Sequence, residues 1–305
     1  MFFNEILCIE SLTMDKTVAF VVLGLAVVSA LPATKEARYD PDRQNVYHLY
    51  TRQNPTSSQP LLIGSEGLLG LTNYNAARRT VILLHGWMDS AVANFNSVLV
   101  PAFLAAEDLN VIVVDWSAGA GNINYFTAVT NTVTSGVSVA RFVNWLNSAT
   151  GAVPTMYHIV GHHLGGHQAG IVARNVEGNV AYVTALDPAY TAWPNNADKF
   201  RSTDAVYTEV IHTGIGVTGY IAPLGDVDFY PNGGSQMPGC DSQECDHARS
   251  FFYFAESLTS GGFTGRRCGS YLSALLGNCF LVGSLRMGGL VPKTTTGIFH
   301  LETNG

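Results

Sequence analysis

Unbroken apolar runs alternate along this chain with stretches of helical spacing. "TVILLHGW" (80–87), "NVIVVDW" (110–116), "MYHIVG" (156–161), "NVAYVTALDP" (179–188) and "AVYTEVIHT" (205–213) carry too many consecutive apolar residues for a half-exposed strand. They predict strands buried on both faces. Between them, "VANFNSVLVPAFLAAED" (92–108) has helical spacing. In "SGVSVARFVNWLNSA" (135–149), Val137, Ala140, Val143 and Trp145–Leu146 form one apolar stripe. Strand and helix in alternation predict an α/β fold: a mostly parallel sheet covered by helices on both faces. Residues 31–60 are polar and predict an irregular entry with a short strand near Val46–Thr51. No internal repeat, low-complexity segment or linker interrupts residues 45–305, so 31–305 reads as a single domain.

In such sheets the working residues lie just past the carboxyl ends of the strands. His85, Asp115, His163, Asp187 and His212 all hold that kind of position. The segment "GHHLGGHQAG" (161–170) follows one of these strands and runs into a helical pattern. Strand, G-x-x-x-G and helix together describe a sharp turn that presents its central residue at the top of the sheet. Gly161 and Gly165 let the turn close. The central residue of a hydrolase turn of this kind is serine, and here it is His163. Histidine tolerates positive φ better than most residues, so the turn should survive the exchange.

A serine hydrolase of this design needs an acid and then a histidine further along the chain. Asp187, at the end of the next strand, fits the acid. His212, His247 and His300 are candidates for the histidine; His212 reads as a packed core residue, and His247 opens the helix "HARSFFYFAESL". The two oxyanion donors should be backbone N–H groups, one after the central residue (Leu164) and one after "LLHGW" (Trp87).

Composition narrows the class. With 305 residues, 47% apolar and 13% charged, the chain can bury a large core. A net charge of −7 argues against nucleic-acid binding. Lys16 precedes the apolar run "TVAFVVLGLAVVSA", and Val28-Ser29-Ala30 offers a cleavage site, so residues 1–30 read as a secretory signal with the true start at Met14. Its alternative is a membrane anchor over Thr17–Thr34, which Pro32 interrupts. Export fits the cysteines. Cys8 falls in the leader, and Cys240, Cys245, Cys268 and Cys279 remain, an even set that implies two disulfides. Three pairings exist, of which nearest neighbours, Cys240–Cys245 and Cys268–Cys279, is the simplest.

Taken in order, "VILLHGW", "VIVVDW", "GHHLGGHQAG", "ALDPA", "VIHT", "DFYPNGG", "MPGC" and "CDHARS" resemble the secreted neutral lipases, meaning the pancreatic-type lipases and the insect and venom phospholipases A1, over roughly residues 45–305. The resemblance implies an α/β-hydrolase fold, hydrolysis of lipid esters and no cofactor. By motif match it implies Asp187 as triad acid, His247 as triad base, and Trp87 and Leu164 as oxyanion donors. It also puts Cys240 and Cys245 at the base of a lid. That lid would be only "DSQE" (241–244), a short form closer to the phospholipases A1, and the family's C-terminal lipid-binding domain is expected to be absent.

The departure is His163. Every serine codon differs from every histidine codon at two or more bases, so one misread base does not explain it. An imidazole has no oxygen for His247 to deprotonate and thrusts a ring into the space of the scissile carbonyl. The expectation is a lipid- or fatty-acyl-binding pseudoenzyme, with contact to a lipid surface. The alternatives are an active lipase or phospholipase A1, using His163 as nucleophile or a zinc ion on His163, His247 and Asp187, and a partner-binding protein with a vestigial cleft. His162 and His167 read as packing and hydrogen-bonding residues around the turn.

Overall fold

The computed structural model describes residues 38–305. The predicted leader, Met14 and Cys8 lie outside the described residues. Tyr39–Gly305 form one compact unit.

Among the described residues eleven strands make one sheet: β1 (Val46–Tyr50), β2 (Gln59–Leu61), β3 (Thr80–Leu84), β4 (Asn110–Asp115), β5 (Tyr157–His162), β6 (Tyr182–Leu186), β7 (Tyr207–Ile211), β8 (Val227–Pro231), β9 (Thr264–Cys268), β10 (Ser284–Arg286) and β11 (Gly297–Leu301). Their spatial order is β10-β9-β11-β8-β7-β6-β5-β3-β4-β1-β2. All neighbours from β11 through β4 are parallel. Antiparallel pairs close both edges, β1 with β2 on one side and β9 with β10 on the other.

The unbroken apolar strands are explained by their two faces. Ile82 and Leu84 of β3 point into a core shared with Phe142 and Leu146 of the helix Tyr125–Thr150 and Val172 of the helix Leu164–Asn175. Val81 and Leu83 point the other way, to Leu99 and Phe103 of the helix Asn94–Ala106 and Phe254 of the helix Gln243–Thr259. These side chains are fully buried, each worth about 1.5–3 kcal/mol relative to exposure. The fold is therefore the expected α/β sheet with helices on both faces.

Three differences from the sequence pattern have local causes. The helix over 135–149 begins ten residues earlier, at Tyr125, and spans 26 residues. Its first turns are rich in threonine and valine, which disfavour helix on propensity. Asn124 overrides this by capping the N–H groups of Phe126 and Thr127, and Thr130 and Thr132 return their hydroxyls to the carbonyls four residues back. Strand β8 is hidden because Asp228 breaks its apolar run. That carboxylate is buried and accepts from His212 Nε2 and from the amides of Leu224 and Gly225. Strands β9 and β10 read "TGRRC" and "SLR", and their charges suit a sheet edge.

Candidate active site

Strand β5 ends at His162, the helix Leu164–Asn175 starts at Leu164, and His163 alone makes the turn, with φ 54° and ψ −117°. The glycines are required by contact. A Cβ on Gly161 would lie 1.8 Å from the carbonyl oxygen of Gly165, and one on Gly165 would lie 2.0 Å from that of Leu84. The turn thus sits flush against β3. It is also tied to β6: the His163 amide donates to Leu186 O at 3.2 Å, and the amide of Ala189 donates to His163 O at 3.2 Å.

Asp187 leaves β6 at φ 42°, another left-handed position, and its side chain is fully buried. One carboxylate oxygen accepts from the amides of Thr213 and Gly214, both at 2.9 Å. The other accepts from His247 Nδ1 at 2.5 Å. With Nδ1 donating, His247 keeps Nε2 for the cleft, and no group among the described residues bonds that atom. The sequence pattern starts a helix at His247; it starts at Gln243, which puts His247 in the second turn. Ser242 caps that helix by accepting from the Cys245 amide, and Asp246 accepts from the Met237 amide at 2.6 Å. The Cys240–Cys245 disulfide ties down the same turn, and the second disulfide joins Cys268 to Cys279. The "DSQE" segment is thus largely the mount of the His247 helix.

At the apex the His163 ring stands edge-on to the His247 ring, centroids 5.0 Å apart. Its Nδ1 accepts the Trp87 amide at 3.4 Å. The backbone donor expected to receive an oxyanion therefore points at an imidazole nitrogen. Burial, and then the neighbouring His247, hold the His163 pKa well below its ordinary value. The ring is neutral, and since Nδ1 accepts, its proton is on Nε2. The other expected donor, the Leu164 amide, opens the helix Leu164–Asn175.

Sequence reasoning read His162 only in part and missed Tyr125. His162 is buried with neither ring nitrogen hydrogen-bonded among the described residues, so it is a packing residue alone. Its ring lies 4.2 Å from that of His247 and is framed by Phe95 and Phe251. Tyr125, on the unpredicted first turn of its helix, has its ring 6.2 Å from that of His163. His167 and His212 are satisfied core residues: His167 bonds Ala189 O and the Phe200 amide, and His212 bonds Tyr220 O and Asp228. His300 lies elsewhere, on β11 against Ala274 O.

Above these residues opens a cleft of about 690 Å³, walled by Trp87, Phe95, Tyr125, Phe126, Val217 and Phe251. Such a size and lining suit a largely apolar ligand. Among the described residues, no three His, Cys, Asp or Glu side chains are placed to hold a metal ion.

The family model for lipases matches residues 26–295. Pancreatic triacylglycerol lipase of Myocastor coypus is 33% identical over 263 residues, covering 76% of this chain and 56% of the relative. Lipase member H of Xenopus tropicalis is 35% identical over 251 residues, covering 76% and 52%. The chain thus spans little more than half the length of these relatives. A solved α/β hydrolase from a deep-sea metagenome overlaps with a TM-score of 0.36 at 16% identity, covering 47% of this chain and 60% of its own.

Proposed function

Since this chain belongs to the lipase family, we propose that it is a secreted lipid-binding protein whose hydrolase site has lost ester hydrolysis. Asp187 serves as the acid and His247 as the base of a triad without a nucleophile. The observation that carries this reading is the imidazole at the apex, with Nδ1 turned to the Trp87 amide.

Loss of the nucleophile alone costs on the order of 10⁶ in rate in a serine hydrolase, leaving roughly 10³ over water from the oxyanion donors and binding. Here the same substitution engages one of those donors, so the remainder should shrink too. Rescue by histidine is opposed by the same geometry. Attack on a carbonyl needs a ring lone pair beside free oxyanion donors. The Nδ1 lone pair faces Trp87, and Nε2 carries the proton.

The apolar cleft supports retained binding, because shape outlasts chemistry. Exposed Phe126 and Val217 on the cleft wall support contact with a lipid surface. The two disulfides support an oxidising, extracellular setting.

The test is turnover of p-nitrophenyl butyrate and of phosphatidylcholine by chelator-treated protein, together with extraction of bound lipid. The wild type should show no turnover above background and should yield lipid. His163→Ser should raise ester turnover at least ~10³-fold over wild type. Robust turnover by metal-free wild type would overturn the reading.

A further inference from the structure

The cleft floor differs from that of a hydrolase in the kind of head group it can hold. It presents two ring nitrogens that no group among the described residues bonds, Nε2 of His163 and Nε2 of His247, on rings 5.0 Å apart at 87°. Neither atom is enclosed. The first is a neutral N–H donor, fixed as such by the Trp87 amide on Nδ1. The second accepts a proton with the Asp187 carboxylate already in place on Nδ1 as counter-charge. An ester carbonyl gains little here, because the Trp87 donor is engaged. A carboxylate gains one neutral donor and one imidazolium donor, the strong kind of hydrogen bond.

The geometry points to a free fatty acid, and not an ester, as the ligand of this cleft, its carboxylate held between His163 Nε2–H and His247 Nε2–H. This rests on the reading of the cleft as a lipid site. The proton balance follows. The carboxylate–imidazolium pair needs one proton on His247 Nε2. The site then holds Asp187 carboxylate, His247 imidazolium and ligand carboxylate in sequence. Without that proton two carboxylates would flank a neutral ring.

The titratable groups facing His247 are Asp187 after β6, His162 and His163 at the end of β5, Asp89 after β3, and Glu244 on its own helix. His162 and His163 are held neutral by burial. Asp89 and Glu244 line the cleft and repel an anion, which confines the carboxylate to the floor and directs the alkyl tail along Tyr125, Phe126 and Val217.

The experiment is titration of delipidated protein with oleate and with methyl oleate, each kept below its solubility limit, across neutral pH. Oleate should bind about tenfold to a hundredfold more tightly than methyl oleate, the range for one hydrogen bond to a charged group. Its affinity should fall as pH rises, because the bound pair needs that proton, while that of methyl oleate stays flat. His163→Phe keeps a ring and removes the donor; His247→Gln removes the proton site. Each should cut the preference for oleate, and the second should also flatten its pH dependence. Equal binding of acid and ester would overturn this inference while leaving the cleft a lipid site. No binding of either would overturn both readings. A preference for oleate that both variants leave intact would overturn the assignment to these two nitrogens.

Discussion

The two halves of the site have been treated differently. Asp187 and His247 form a pair at 2.5 Å whose partners, the Thr213 and Gly214 amides and the capped helix, are all in place. Opposite them His163 occupies the turn with a ring where a hydroxyl is expected, and the Trp87 amide has turned to that ring. Yet the backbone on this side is as tightly specified as on the other. Gly161, Gly165 and the bonds to Leu186 and Ala189 hold the turn without any use of the side chain they display. The comparison teaches that the two sides depend on different things: the pair is an arrangement of side chains, while the elbow is an arrangement of backbone and withstands a change of occupant.

The sharpest way to break that comparison is to restore the hydroxyl and then disturb the pair. In His163→Ser protein, a further Asp187→Asn should remove about 10⁴ of the recovered esterase rate, because His247 would lose the acceptor that fixes its tautomer. A double variant as active as the single would show that the pair does not serve the apex.

Next in size is the backbone itself. Gly165→Ala brings a Cβ to 2.0 Å from Leu84 O, and should cost more than about 4 kcal/mol in chemical denaturation or prevent soluble expression. A well-folded variant would mean that the turn is looser than its contacts imply.

A smaller effect follows from the histidines beneath the turn. Burial pushes His167 down to about 3, and His158 and His162 well below their ordinary range. The unfolded chain takes up these protons near pH 6.5 and the folded chain does not. Stability is therefore full above that pH and falls as pH drops through it, with His167 alone contributing a loss of about 2 kcal/mol by pH 5. Thermal melts at pH 7 and pH 5 would check this. An unchanged Tm would contradict neutral burial.

The smallest expected change is the stability of His163→Ser. Both residues must adopt φ near 54°, and the one hydrogen bond lost is the long one to Trp87, so unfolding free energies should agree to within about 0.5–1 kcal/mol. A larger shift would mean that the imidazole has become part of the scaffold.

Much of this was legible in the sequence, for identifiable reasons. β3 to β7 were readable because both faces of each are buried, which leaves an uninterrupted apolar run. The elbow was readable because steric need fixes its glycines. Asp187 was readable from its place at the end of the next strand, whereas the choice of His247 among three histidines came from resemblance to a family, since no local pattern connects an acid to a base 60 residues away. Three things stayed hidden. Strand β8 depends on a buried Asp228 whose partners are His212, just past β7, and the amides of the loop leading into β8. The start of the helix at Tyr125 depends on a cap that outweighs unfavourable propensities. His162 looks like one more histidine of the turn until the packing of Phe95, Phe251 and His247 around it is seen.

The interlock of Gly161 with Gly165 has a consequence for how such chains are recognised. Both positions require glycine because a methyl group would collide with a carbonyl oxygen, whatever the apex does. A motif search weighted toward them detects architecture and will enrol disarmed members beside working ones. The character that separates the two sits between the glycines, at a position the fold leaves open.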